Sequence, residues 1–142
     1  MPSNGLRSKS RIADTAWLAG IIDGEGCVLF RPVRKRGEHI CRLTIGNTDE
    51  GIVNEVKRIL DSWLVFYCCT AIQPRGISRK IGYVIEVNRQ IEVCFVLEQV
   101  NPYLKSIKRE KIKLVRDYMT ERDALGRRKN GKKRNLQFGM VI

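Results

Sequence analysis

Asp23 and Glu25, set among glycines as Asp23-Gly24-Glu25-Gly26, are the residues of this chain best placed to do chemistry. A carboxylate delivered by a glycine turn at the end of a helix is an oxygen donor that suits a hard divalent cation such as magnesium. Just upstream, small residues recur at Ala19 and Gly20, and apolar ones stand at Leu18, Ile21 and Ile22. The spacing predicts a helix over Asp14–Asp23, N-capped by Asp14 and stopped by the glycine turn. Gly20 and Gly24 are four apart and share one helical face. A face without side chains lets a second backbone come very close. An ordinary amphipathic helix explains the apolar residues, but not four small residues together with an acid between two glycines.

Residues 18–26, Leu-Ala-Gly-Ile-Ile-Asp-Gly-Glu-Gly, resemble the nine-letter motif of the LAGLIDADG homing endonuclease family. The resemblance implies that this helix packs against its symmetry mate and that the penultimate acid binds the catalytic metal. Glu25 holds that position, as catalytic residue and metal ligand, with Gly24 beside it as the second metal position. Mg2+, or another divalent cation such as Mn2+, is the implied cofactor. Trp17, Gly20, Ile21 and Gly24 are the implied dimer interface. The family occurs as one long chain with two motifs or a short chain that dimerises. One motif in 142 residues implies the second form, a homodimer.

The elements that must hold this motif can be read in order. Residues 27–36 alternate as a strand and turn at Gly37-Glu38 into a second strand over His39–Gly46. Val28 and Phe30 point one way, Leu29, Arg31, Val33 and Lys35 the other. On the second strand Leu43 and Ile45 oppose Arg42 and Thr44. One face is therefore apolar core and the other cationic and hydrogen-bonding, and Arg31, Arg34, Lys35, Arg36 and Arg42 all crowd this one hairpin. A two-stranded ribbon of this kind fits the DNA major groove, where arginine and lysine read guanine edges. Asn47-Thr48-Asp49 caps a helix carrying Ile52, Val53, Val56, Ile59 and Leu60. A second hairpin runs from Leu64–Gln73 through Pro74-Arg75-Gly76 to Lys80–Val87, with Arg75, Arg79 and Lys80 at its tip. A helix over Arg89–Val100 stops at residues 101–105, and another spans Lys105–Met119.

Helix, hairpin, helix, hairpin, helix is αββαββα, an α+β class. The resemblance implies that this is the LAGLIDADG core, with a four-stranded antiparallel DNA-binding sheet. Two further segments resemble the family. Asn47 matches by position a residue that helps order water near the metals; a plain turn residue before the helix explains it equally. In Pro102-Tyr103-Leu104-Lys105 the family places a lysine shortly after the proline as an electrostatic or proton-transfer group. The chain departs from that pattern, with Lys108 the preferred match and Lys105 the reserve.

Composition bounds the rest. Lysine and arginine number 27 against 15 acids, a net charge of +12, which points to a polyanion and above all to nucleic acid. The expected organisation is a flexible basic tail at 1–10, an endonuclease domain at 11–125 and a basic tail at 126–142. No apolar run approaches the ~18 residues of a membrane span. Nor do the first residues hold a signal peptide's apolar core, so an intracellular protein without membrane partner is expected, its compartment undetermined. The five cysteines contain no Cys-x-x-Cys pair and read as reduced, small buried hydrophobes. The function implied is a site-specific homing endonuclease. It makes a metal-dependent double-strand break in a long pseudopalindromic DNA site and leaves 3′ overhangs. The alternative is an intron maturase or degenerate relative that binds intron RNA or DNA without cutting.

Overall fold

A long helix, α1 (Asn4–Glu25), runs straight into a strand, β1 (Gly26–Pro32), and these two elements set the frame for the rest. The computed structural model describes residues 4–32, 39–77 and 79–130. Along them follow β2 (His39–Asn47), α2 (Glu50–Ser62), β3 (Cys68–Ile72), β4 (Gly82–Val87), α3 (Gln90–Val100), a 3-10 turn at Asn101–Tyr103, and α4 (Lys108–Asn130). The sheet is antiparallel throughout, in the order β1-β2-β4-β3. The expected αββαββα order and four-stranded antiparallel sheet are both present.

Alternation along the strands divides the sheet into two faces. Val28, Cys41, Leu43, Ile45, Ile85 and Val87 are buried on one of them. Leu18 and Ile22 of α1, Val56, Ile59 and Leu60 of α2, Val93, Val96 and Leu97 of α3, and Ile112 and Val115 of α4 complete that core. The opposite face carries no helix among the described residues. Burying one stripe of each helix against one face of a single sheet is the ordinary solution for an α+β layer architecture.

Several boundaries differ from expectation, each for a local reason. Asp14 is not an N-cap. The helix begins at Asn4, since no proline interrupts residues 4–13, and Asp14 instead accepts a hydrogen bond from Arg58 Nη2 at 2.7 Å. Nor does the glycine turn stop α1, because Gly24 and Glu25 are still helical. The third strand starts at Cys68 rather than Leu64 because Leu64 takes a left-handed φ of 57°. Its N–H bonds the Asp61 carbonyl at 3.0 Å, and the Val65 N–H bonds that of Leu60, also at 3.0 Å. The chain thus spends Leu64 and Val65 closing the end of α2. The last helix starts at Lys108, not Lys105, and runs to Asn130, so its backbone carries the first residues of the basic segment; residues 131–142 lie outside the described residues.

The cysteines also depart from expectation. Cys41 is buried, its thiol pushed up to about 12 by burial and by Cys94, and Cys94 is half-buried. Cys27, Cys68 and Cys69 are exposed. Cys27 and Cys68 stand on the helix-free face, and Cys69 belongs to an edge strand exposed at every position.

Gly26 marks the place where helix becomes strand. A Cβ there would lie 2.7 Å from the Ile22 carbonyl oxygen and 2.9 Å from Ile22 Cα, both main-chain atoms that cannot swing aside. Gly26→Ala is expected to destabilise the fold by about 1–3 kcal/mol, as overpacking does. Chemical denaturation checks it.

Candidate functional site

The end of α1 is held by contacts from the far end of the chain. Lys105 N–H donates to Asp23 Oδ2 at 2.8 Å and Ser106 N–H to Asp23 Oδ1 at 3.0 Å. Lys108 Nζ donates to the carbonyls of Ile22 at 2.7 Å and Asp23 at 2.8 Å. These carbonyls belong to the last turn of the helix, where an ammonium is favoured both as donor and as countercharge to the helix dipole. Lys111 Nζ in turn donates to the Val28 carbonyl at 2.8 Å, tying α4 to β1. Lys108 thus closes the helix end in place of the expected glycine turn.

Burial pushes the Asp23 carboxyl up, but hydrogen bonds from the Ser106 and Lys105 loop and the nearby Lys108 charge outweigh it and hold the group below the usual carboxylate range. The folded value thus lies below the unfolded value of ~3.9. The stabilisation is fully present above that unfolded value and is lost as pH falls through the lowered folded one. Asp23→Asn is expected to cost about 1–2 kcal/mol near neutral pH, the low end for bonds to a charged acceptor because the group is partly exposed. It should also flatten the fall in stability below pH ~4. Urea unfolding across that range measures both effects.

Glu25 is different. It is the last residue of α1, exposed, and makes no hydrogen bond or ion pair with the described residues. The chain passes from it through Gly26 directly onto the helix-free face at Cys27, Leu29 and Arg31. On that face Leu29 stands opposite Arg42 and Cys27 opposite Thr44. Arg31 is exposed; Leu29, Arg42 and Thr44 are half-buried. Arg75, Arg79 and Lys80 are exposed in the β3–β4 connection, where Gly76 takes a φ of +66° that favours glycine. Val33, Lys35 and Arg36 lie outside the described residues.

The opposite stripe of α1 is open. Leu18, Ala19 and Ile22 are buried against the chain's own core, whereas Trp17, Gly20 and Gly24 are exposed. A Cβ at Gly20 or Gly24 would meet nothing within 4 Å among the described residues. Ile21 sits between the two stripes, half-buried and packed on the core. Asn47 ends β2, and its Oδ1 accepts the Asp49 N–H at 2.7 Å; Asp49 Oδ1 then accepts the N–H groups of Gly51 and Ile52. The turn part expected of Asn47 is present. Lys105 is exposed, its main-chain N–H on Asp23.

No protein-family model matches the chain, and no curated protein matches it. Two solved structures that it resembles are of the homing endonuclease I-CvuI. One is a complex with an I-CreI target in the presence of Mg with the DNA not cleaved, the other a complex with the enzyme's own target in the presence of Ca. Each is 22% identical with a TM-score of 0.55, over 93% of this chain and 92% of that one. This chain has the LAGLIDADG homing endonuclease fold.

In its LAGLIDADG fold the motif helix is therefore α1, with Glu25 as its terminal residue. Ser106, Lys111 and Glu86 are the residues that the motifs did not single out. Ser106 lies 83 residues from Asp23, and Lys111 the same distance from Val28. No local periodicity marks such pairs. Glu86 had a signal available, being the one acid in the four strands among the described residues. No helix among the described residues is long and apolar enough to cross a membrane.

Proposed function

We propose that this chain is a site-specific homing endonuclease that acts as a homodimer and cleaves both strands of a long pseudopalindromic DNA site, leaving 3′ overhangs. The observation that carries the reading is the exposed stripe of α1 made by Trp17, Gly20 and Gly24, ending at Glu25, whose carboxylate has no partner among the described residues. Two such stripes packed together bury a face the single chain leaves bare and bring two Glu25 carboxylates side by side. The two sheets then form one basic surface, with Leu29, Arg31, Arg42 and Thr44 set against the major groove. Val33, Lys35 and Arg36 would extend it, and Arg75, Arg79 and Lys80 would meet phosphates at its rim.

Glu25 fits a divalent cation such as Mg2+ in its chemistry, a hard charged oxygen donor with no competing partner among the described residues. Among the described residues of one chain there is no group of three acidic, histidine or cysteine side chains to hold a metal. Glu25, with the Gly24 main chain beside it, would hold such a cation as a hard oxygen donor. A bound divalent cation would supply Lewis-acid stabilisation and a water of lowered pKa. The chain's own part is positional. Asp23 and Lys108 hold the end of α1, and through it Glu25, against the loop after the 3-10 turn. Asn47 ends β2 and, through the Asp49 N–H, fixes the start of α2.

The test is to incubate the protein with Mg2+ and a plasmid library of randomised sites and sequence the linear products. Double-strand breaks at one related set of sites, absent with EDTA, are expected. Tight sequence-selective binding without breakage in Mg2+ or Mn2+ would replace the nuclease reading with that of a maturase-like binding protein.

A further inference from the structure

The helix-free face of the sheet is basic or neutral at its described positions with one exception, Glu86 on β4. Strand pairing sets Glu86 opposite Thr44, which in turn is opposite Cys27, so the acid stands near the middle of the face, one step diagonally from Arg42. Arg42 Nε lies 3.3 Å from Glu86 Oε1. That nitrogen is shut off from solvent and forms no regular hydrogen bond, so the carboxylate is its counter-charge. The arginine side chain as a whole is 41% exposed, and with Nε covered this exposure falls on the rest of the side chain. A free arginine loses much rotamer entropy when fixed on a ligand; one already held through Nε loses less, and its terminal fork is the part that reads guanine O6 and N7.

We propose that Glu86 is a specificity-determining positioning residue. It holds Arg42 so that the guanidinium fork reads one guanine in the DNA major groove. The inference rests on the proposed reading that this face meets DNA. An acid on a surface that approaches phosphates weakens general attraction, so its benefit is discrimination and not affinity.

The experiment selects bound duplexes from a randomised double-stranded DNA library without divalent metal and sequences them, for the full-length wild type, Arg42→Ala, Glu86→Gln and the double variant. The wild type should enrich guanine at a defined position, and Arg42→Ala should lose that preference. Glu86→Gln should lower it about tenfold at the same base pair, within the range for a good bidentate contact. Its binding to unselected duplex should stay equal or tighten. The double variant should be no worse than Arg42→Ala, the signature of two residues acting as one unit. In the free protein, NMR should show faster solvent exchange of the Arg42 Nε proton in Glu86→Gln than in wild type. A preference altered at a different base pair would make Glu86 a reader in its own right, and an equal change on all sequences would reduce it to a background charge. Either result overturns the proposal, as does an unchanged Arg42 exchange rate. A wild type that selects no sequence defeats the DNA reading itself, whereas wild-type selection left intact by Glu86→Gln defeats the positioning role alone.

Discussion

Glu25→Gln is expected to remove DNA cleavage by at least ~100-fold, the loss typical of deleting one preorganised electrostatic stabiliser, while leaving binding in place. The substitution keeps size and polarity but removes the charge that would hold a cation. Glu25 is exposed and bonds no described residue, so the fold should be unaffected. Binding should persist because the cationic residues of the sheet, and not Glu25, would carry the phosphate and base contacts. The sharper form joins two copies by a flexible linker and changes Glu25 in one copy only. If the two carboxylates share metal ions across the helix pair, cleavage of both strands falls together. If each copy works alone, one strand is nicked at full rate. Clean double-strand breaks from the half-substituted fusion would remove Glu25 from the active site. Plasmid cleavage resolved into supercoiled, nicked and linear forms reads all three outcomes.

Gly20→Leu should prevent the proposed dimer from forming without unfolding the chain. Nothing among the described residues lies within 4 Å of a Cβ built at Gly20, so the new side chain meets no obstacle from them. A helical glycine replaced by leucine should even gain roughly 0.5–1 kcal/mol of helix stability. Across a two-fold interface the substitution occurs twice. Overpacking costs about 1–3 kcal/mol per site, so the dimer should lose about 2–6 kcal/mol, at least ~30-fold in its dissociation constant. Sedimentation should then show a monomer with helical circular dichroism intact and cleavage abolished. An unchanged sedimentation coefficient with full cleavage would place the partner elsewhere than on the Trp17, Gly20 and Gly24 stripe.

These expectations draw on two kinds of information in unequal measure. The motif helix, the hairpins and the two faces of the sheet were legible in the sequence because their signals are local. Leu29, Arg31, Arg42 and Thr44 fell on the outward face because side chains alternate along a strand whatever the rest of the fold does. The cap at Asp49 was legible for the same reason, its partners being Gly51 and Ile52 next along the chain.

Other features required the chain to close on itself. The glycines marked the end of α1 only to within two residues, and the contact that holds that end comes from Lys108, 86 residues from Ile22. Asp23 lies two residues from Glu25 in the sequence, yet loop N–H groups more than 80 residues away occupy both its oxygens. Three cysteines read as buried are exposed, because burial depends on which strand ends at the edge and which face the helices cover. Glu86 gained its neighbour Arg42 only through the pairing of β2 with β4. Residue type and spacing determined which groups were available for chemistry here. Which of them are tied to the chain's own frame, and which, like Glu25, remain free of the described residues, was decided by long-range contacts that no local period encodes.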